Sequence, residues 1–271
     1  MGLRINTNVA ALNAGRILRR STGSLNRSLE RLSSGLRINR AADDAAGLAI
    51  AEGFRSQVRG ANVAQRNAQD GVSLVQTAEG ALSETTNILQ RVRELAVQAA
   101  NGTQSTSNRA ALDTEVQQLL AQIDDIALDT EFNGLSILSA NQTVTLQAGA
   151  NPSQTLTVTV EGAKTDDLSV STVAVSSMAL AVSAISTVDI ALQSVSSLRS
   201  NLGAYQNRLE FPINTLAIQE ENAAAAESMI RDANIAKETI DFTRNQILVS
   251  AGTSVLAQAN VVPQTALQLL G

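Results

Sequence analysis

The residues in this chain best typed for acid–base chemistry are two pairs of neighbouring carboxylates, Asp43-Asp44 and Asp124-Asp125. Adjacent residues on a helix point about 100° apart, so neither pair converges on one site. The pattern predicts helix capping at Asp43-Asp44 and surface charge at Asp124-Asp125. The 271 residues include no His and no Cys. That removes the usual catalytic triads and dyads, a thiolate nucleophile, disulfides and sulfur-ligated metal. Gly134 and Gly149 sit in turn-like stretches with no following Lys or helix start, so neither forms a phosphate-binding loop. The expectation is a non-enzyme, with no catalytic, cofactor-binding or metal site.

Composition points toward helix packing instead. The chain has no Trp, one Tyr (Tyr205) and four Phe, so its apolar content of 44% rests on Ala, Leu, Val and Ile. Large aromatic residues normally dominate an enzyme core of this size. Small and branched aliphatics suit narrow seams between helices. Net charge is −5, yet residues 1–40 hold eight Arg against the single acid Glu30, a local +7 that leaves −12 for the rest. A basic arm raises nucleic acid or an anionic membrane as partners. No aromatic platform for bases accompanies it, and acids such as Glu227, Glu238 and Asp241 lie toward the other end. A solvated helix face paired with those acids is the favoured reading, with no nucleic acid bound. Arg16, Arg19 and Arg20 interrupt any signal-type apolar stretch. No run of about 18 uncharged apolar residues exists, so no membrane insertion is expected.

The elements follow from periodicity. Leu18, Leu25, Leu29, Leu32 and Leu36 form one apolar stripe near the start, and Leu248, Val255, Val262 and Leu269 recur every seventh residue near the end. Such seams pack against another helix, in each other or in neighbouring copies. Residues 5–33 read as a helix stopped at Ser33-Ser34-Gly35, and a long helix runs from Asp43 or Asp44 to about Ala100. Within it Val75, Ala78, Leu82, Thr85, Leu89, Val92, Ala96 and Ala99 keep three-four spacing. Another helix covers 109–128, and Asn133-Gly134 marks a turn. The period then drops to two, predicting a β-hairpin near 141–162. Residues 161–178 read as an irregular connector with a short strand at Leu168–Ser171. Helix resumes near Ala179, with an interruption and kink expected at Phe211–Pro212. A last helix covers about 235–268. The predicted fold is mainly α: a long antiparallel helical bundle or coiled coil with a small β-hairpin insert and paired terminal helices. Residues 1–41 and 230–271 are expected to form a discontinuous terminal coiled-coil domain. Residues 42–229 then form a helical rod domain, with no sizeable outer variable domain.

Several long segments resemble one family. MGLRINTNVAALNA at 1–14, SLNRSLERLSSGLRINRAADDAAGLAIAEGFRSQVRG at 24–60, LQRVRELAVQAANGTQS at 89–105 and EFNGLSIL at 131–138 are similar to the N-terminal region of bacterial flagellins. ENAAAAESMIRDANIAKET at 221–239 and VLAQANVVPQTALQLLG at 255–271 are similar to the flagellin C-terminal region. The resemblance implies a structural subunit that self-assembles into the flagellar filament used for swimming motility. It implies a secreted, extracellular product of type III export. The implied partners are further copies in a helical homo-oligomer, an export chaperone and the export apparatus, and the filament cap and hook-associated proteins. It also implies a candidate vertebrate innate immune receptor patch at Arg91, Leu95 and Glu115. The plainer reading of those three is packing for Leu95 and surface contacts for the charged pair. The alternatives are a hook–filament junction protein, or a secreted effector with flagellin-like export signals. Pro212 departs from the family's uninterrupted C-terminal helix.

Overall fold

A computed structural model describes residues 7–268, with side chains from residue 7 to residue 261. Five helices and four short strands make up the described chain, in the order α1 (Val9–Ser34), α2 (Ala45–Ala100), α3 (Thr106–Asp129), β1 (Glu131–Phe132), β2 (Leu135–Ser136), β3 (Gln142–Gln147), β4 (Thr155–Val160), α4 (Met178–Arg231) and α5 (Ile235–Gln268). The fold is mainly α with a β-hairpin insert. Two compact units divide it. One draws on both chain ends, up to Ser56 and from Asn222. The other is Gln57–Glu221.

The helix ends explain themselves chemically. Asn8 caps α1, its side chain accepting from the Ala11 N–H. Gly35 closes it in the left-handed region at φ 73°, its N–H donating to the Arg31 carbonyl, a conformation that costs glycine nothing. The two neighbouring aspartates that follow divide their work. Asp44 Oδ1 accepts from the Gly47 N–H at 2.9 Å and caps α2. Asp43 Oδ2 accepts from the Asn39 and Arg40 N–H groups and shapes the link before it. The Arg40 N–H holds the Asp43 carboxyl below the ordinary aspartate range, aided by Asn39 and the Arg31 and Arg40 charges and opposed by slight burial. A carboxylate that accepts backbone donors is favoured in its charged form.

The Gln57–Glu221 unit holds the main core. All eight residues of the α2 stripe from Val75 to Ala99 are buried. Among them, the Thr85 hydroxyl donates to the Ala81 carbonyl at 3.1 Å, which satisfies the one polar group in the row. Val116, Leu120 and Ile123 of α3 join this core, with Val188, Val195, Leu202 and Leu209 of α4. β3 and β4 pair antiparallel from Gln142↔Val160 to Gln147↔Thr155. Val158 and Val160 face inward from this hairpin. The Asn133-Gly134 turn, with both residues left-handed, closes a smaller hairpin of β1 and β2.

Three local expectations need correction. No strand forms at Leu168–Ser171. Residues 161–177 make a packed series of turns instead, burying Leu168, Val170, Val173 and Val175. Asp124 is no idle surface charge, since it anchors this segment. Its carboxylate accepts from the Thr165 N–H at 2.8 Å and from the Thr165 hydroxyl. Asp113 accepts from the Val175 N–H, and Gln117 donates to the Val173 carbonyl. Helix side chains thus satisfy the backbone groups of a buried irregular segment. Nor does Pro212 interrupt α4, which is one helix of 54 residues with the proline inside it.

Candidate assembly interface

α1 and α5 pack antiparallel within the unit built from the chain ends. Asn8 Nδ2 donates to the Ala259 carbonyl at 2.8 Å at one end of the pair, and Arg31 meets Glu238 at 3.7 Å at the other. Between them Leu18 lies over Gly252. The buried and half-buried positions of α1 include the row Ala14, Leu18, Ser21, Leu25, Ser28 and Leu32. Their spacing alternates four and three, with leucine at one heptad position and Ala or Ser at the other. On α5 the matching row is Phe242, Asn245, Val249, Gly252, Leu256 and Ala259. Leucine knobs enter holes left by small residues, as in a coiled coil. A Cβ built on Gly252 would stand 3.2 Å from Leu18 Cδ1, tight enough that the leucine would have to give by a few tenths of an ångström.

This inner seam places the expected residues unequally. Leu18, Leu25 and Leu32 lie on it. Leu29 is 53% exposed, on the flank of the seam. Leu36 falls beyond α1 and bridges Asp232 in the link between α4 and α5. Leu248 and Val255 are 48% and 58% exposed, turned off the inner seam. Leu269 and the side chain of Val262 lie outside the described residues. The α5 row facing α1 was missed by following only large aliphatics. Its signal is a heptad carried by Gly252 and Ala259 as much as by Val249 and Leu256.

Next to Leu248 and Val255, exposed Ile240, Ile247 and Val261 extend an apolar stripe along α5. No charged residue follows Arg244 in the sequence. Exposed Val9, Leu12 and Ile17 add apolar surface on α1. Exposed apolar residues this numerous on one helix pair point to an interaction surface.

The two links that join this pair to α2 and α4 also hold each other. The Arg37 and Ile38 N–H groups donate to the Arg231 carbonyl, and Ala233 N–H donates to the Gly35 carbonyl at 2.9 Å. The Arg231 guanidinium reaches Glu52 at 3.2 Å and Glu227 at 3.7 Å.

The candidate receptor patch separates into two kinds of residue. Arg91 pairs with Glu115 at 2.9 Å and with Glu94 at 3.0 Å on the surface. These carboxylates hold the Arg91 guanidinium charged even beyond its ordinary range. Leu95 is 1% exposed and packs in the core between helices.

Comparison with known proteins matches these features. The family described as the bacterial flagellin N-terminal helical region matches residues 5–143. The bacterial flagellin C-terminal helical region matches residues 185–270. The chain is 45% identical to the flagellar filament 33 kDa core protein of Treponema phagedenis, covering 98% of this chain and 99% of that one. It is 46% identical to a flagellin of Bacillus subtilis, covering 99% of this chain and 100% of that one. A proposed flagellar hook-associated protein of Vibrio parahaemolyticus is 11% identical and shares the fold alone, with a TM-score of 0.58 over 70% of this chain and 99% of that one.

Proposed function

The chain belongs to the bacterial flagellin family and is a structural subunit of the flagellar filament, and we propose that it polymerises through the outward stripe of its terminal helix pair. The observation that carries this reading is the exposed row Ile240, Ile247, Leu248, Val255 and Val261 on α5. Its burial against neighbouring copies contributes about 25 cal/mol per Å² of apolar surface removed from water. Leu18, Leu25 and Leu32 serve assembly indirectly, by holding α5 so that the stripe faces outward. Filament relatives at above 40% identity favour this role over a hook–filament junction protein.

Secretion through the flagellar export apparatus belongs to the same proposal, with an export chaperone, the filament cap and hook-associated proteins as partners. A chain without Cys has no disulfide to hinder unfolded passage. An innate immune receptor that reads the Arg91 region meets the Arg91–Glu115 pair and not Leu95.

Leu248→Asp tests the interface. It places an unpaired carboxylate in the proposed contact, a cost of several kcal/mol when buried, on the order of the 2–7 kcal/mol of an unpaired polar group or above. Electron microscopy after seeding is expected to show no filaments, while circular dichroism of the monomer stays unchanged because Leu248 is exposed there. Normal filaments from the variant would remove Leu248 from the interface.

A further inference from the structure

We propose that Asn101 is a site of spontaneous covalent modification, its side-chain amide converting to a carboxylate through attack by the backbone nitrogen of Gly102. Asn101, Gly102 and Thr103 are exposed in the turn between α2 and α3. Three hydrogen bonds prepare this peptide for the reaction. Asn101 Oδ1 accepts from the Thr103 N–H at 3.2 Å. That bond folds the side chain back along its own backbone and polarises the Cγ carbonyl, as an oxyanion donor does. The Asn101 main-chain carbonyl accepts from Arg109 Nη2 at 3.0 Å and from the Gln104 N–H at 3.2 Å. A guanidinium on that carbonyl stabilises the anion formed when Gly102 loses its amide proton. Arg109 is held in place by a second bond from Nε to the Ala99 carbonyl at 2.8 Å. A Cβ built on Gly102 would meet no atom beyond its chain neighbours within 4 Å, so no other residue crowds this peptide.

The chemistry balances without an oxidant. The Gly102 nitrogen gives its proton to solvent and forms a bond to Asn101 Cγ. The bond from Cγ to Nδ2 breaks, and ammonia leaves carrying a proton from solvent. Water then opens the cyclic imide at either carbonyl, giving aspartate or isoaspartate. The net change is water consumed and ammonia released. The new carboxylate lies at the C-terminal end of α2, where an anion is disfavoured, beside the Arg109 charge that offsets it. The isoaspartate product also lengthens the main chain of the turn by one carbon.

The second Asn-Gly pair supplies an internal contrast. Asn133 and Gly134 are both left-handed, at φ 52° and 76°, in the two-residue turn that pairs Phe132 with Leu135. Ring closure there must rotate the peptide out of the turn and break the pairing. No hydrogen bond to the Asn133 side chain occurs among the described residues.

The test incubates the full chain, warm and at mildly alkaline pH, and follows each site by peptide mapping and isoaspartyl methyltransferase labelling. Asn101 is expected to convert faster than Asn133. Arg109→Met should slow conversion at Asn101 by roughly tenfold, the size of one charge-assisted hydrogen bond, while Arg109→Lys keeps most of the rate. Neither variant should alter the rate at Asn133. Gly102→Val, which walls off the approach and spares Arg109, should stop conversion at Asn101. The proposal is overturned if Asn133 converts as fast as Asn101, if Arg109→Met leaves the rate at Asn101 unchanged or raised, or if Gly102→Val continues to convert.

Discussion

Gly252 sets how closely α5 approaches α1, because its missing side chain is the hole for Leu18. Gly252→Leu forces the helices apart or displaces Leu18, an overpacking cost of about 1–3 kcal/mol. Heating monitored by circular dichroism is expected to melt the terminal pair earlier in this variant, with the Gln57–Glu221 unit unaffected. A melt identical to the parent would mean that Leu18 can leave the seam at no cost. At this scale the sequence was readable where a residue acts on its near neighbours. Asp43 and Asp44 announce a helix start because capping is a contact over three or four positions. Asp124 did not announce its role, since its partner Thr165 lies 41 residues away. Gly252 was invisible for a related reason: a hole has no hydropathy.

Pro212 shows the same limit for a whole helix. Its lost donor and ring clash predict an interruption with a kink; α4 runs through it unbroken from Met178 to Arg231. Leu209 on one side and Leu216 on the other are both buried, so packing fastens the helix across the proline. Pro212 itself lines an open groove of about 390 Å³ with Phe211 and Leu156 of the hairpin. Pro212→Ala restores the donor and is expected to raise the melting temperature, with the gain bounded by the roughly 3 kcal/mol that an unrelieved proline costs. Differential scanning calorimetry of the monomer reads this directly. No gain would show that a donor at residue 212 finds no acceptor in the packed helix. The α2 stripe from Val75 to Ala99 was legible because its period persists through Ala and Thr as well as Val and Leu. The segment 161–177 was not, because its buried Val173 and Val175 follow no helical or strand period and depend on α3 side chains for their backbone partners.

At the scale of the molecule, the terminal pair is the one unit assembled from both ends of the sequence. Removing residues 1–40 takes away α1 and leaves α5 without its inner seam. Removing residues 240–271 has the mirrored effect. Both truncations are expected to lose filaments by electron microscopy while the Gln57–Glu221 unit keeps its helicity by circular dichroism. Filaments of normal form from either would show that the pair is dispensable for assembly. The hydrogen bond from Asn8 to Ala259 spans 251 positions of sequence. Closing so long a loop costs only modestly more entropy than closing a shorter one, so the arrangement exacts little in stability. What it does is leave the α1 seam open until α5 is present. A product released early by the ribosome, or clipped anywhere before α5, carries an α1 that has nothing to grip and presents no outward stripe. If growth runs through that stripe as proposed, it rejects such fragments without a separate proofreader.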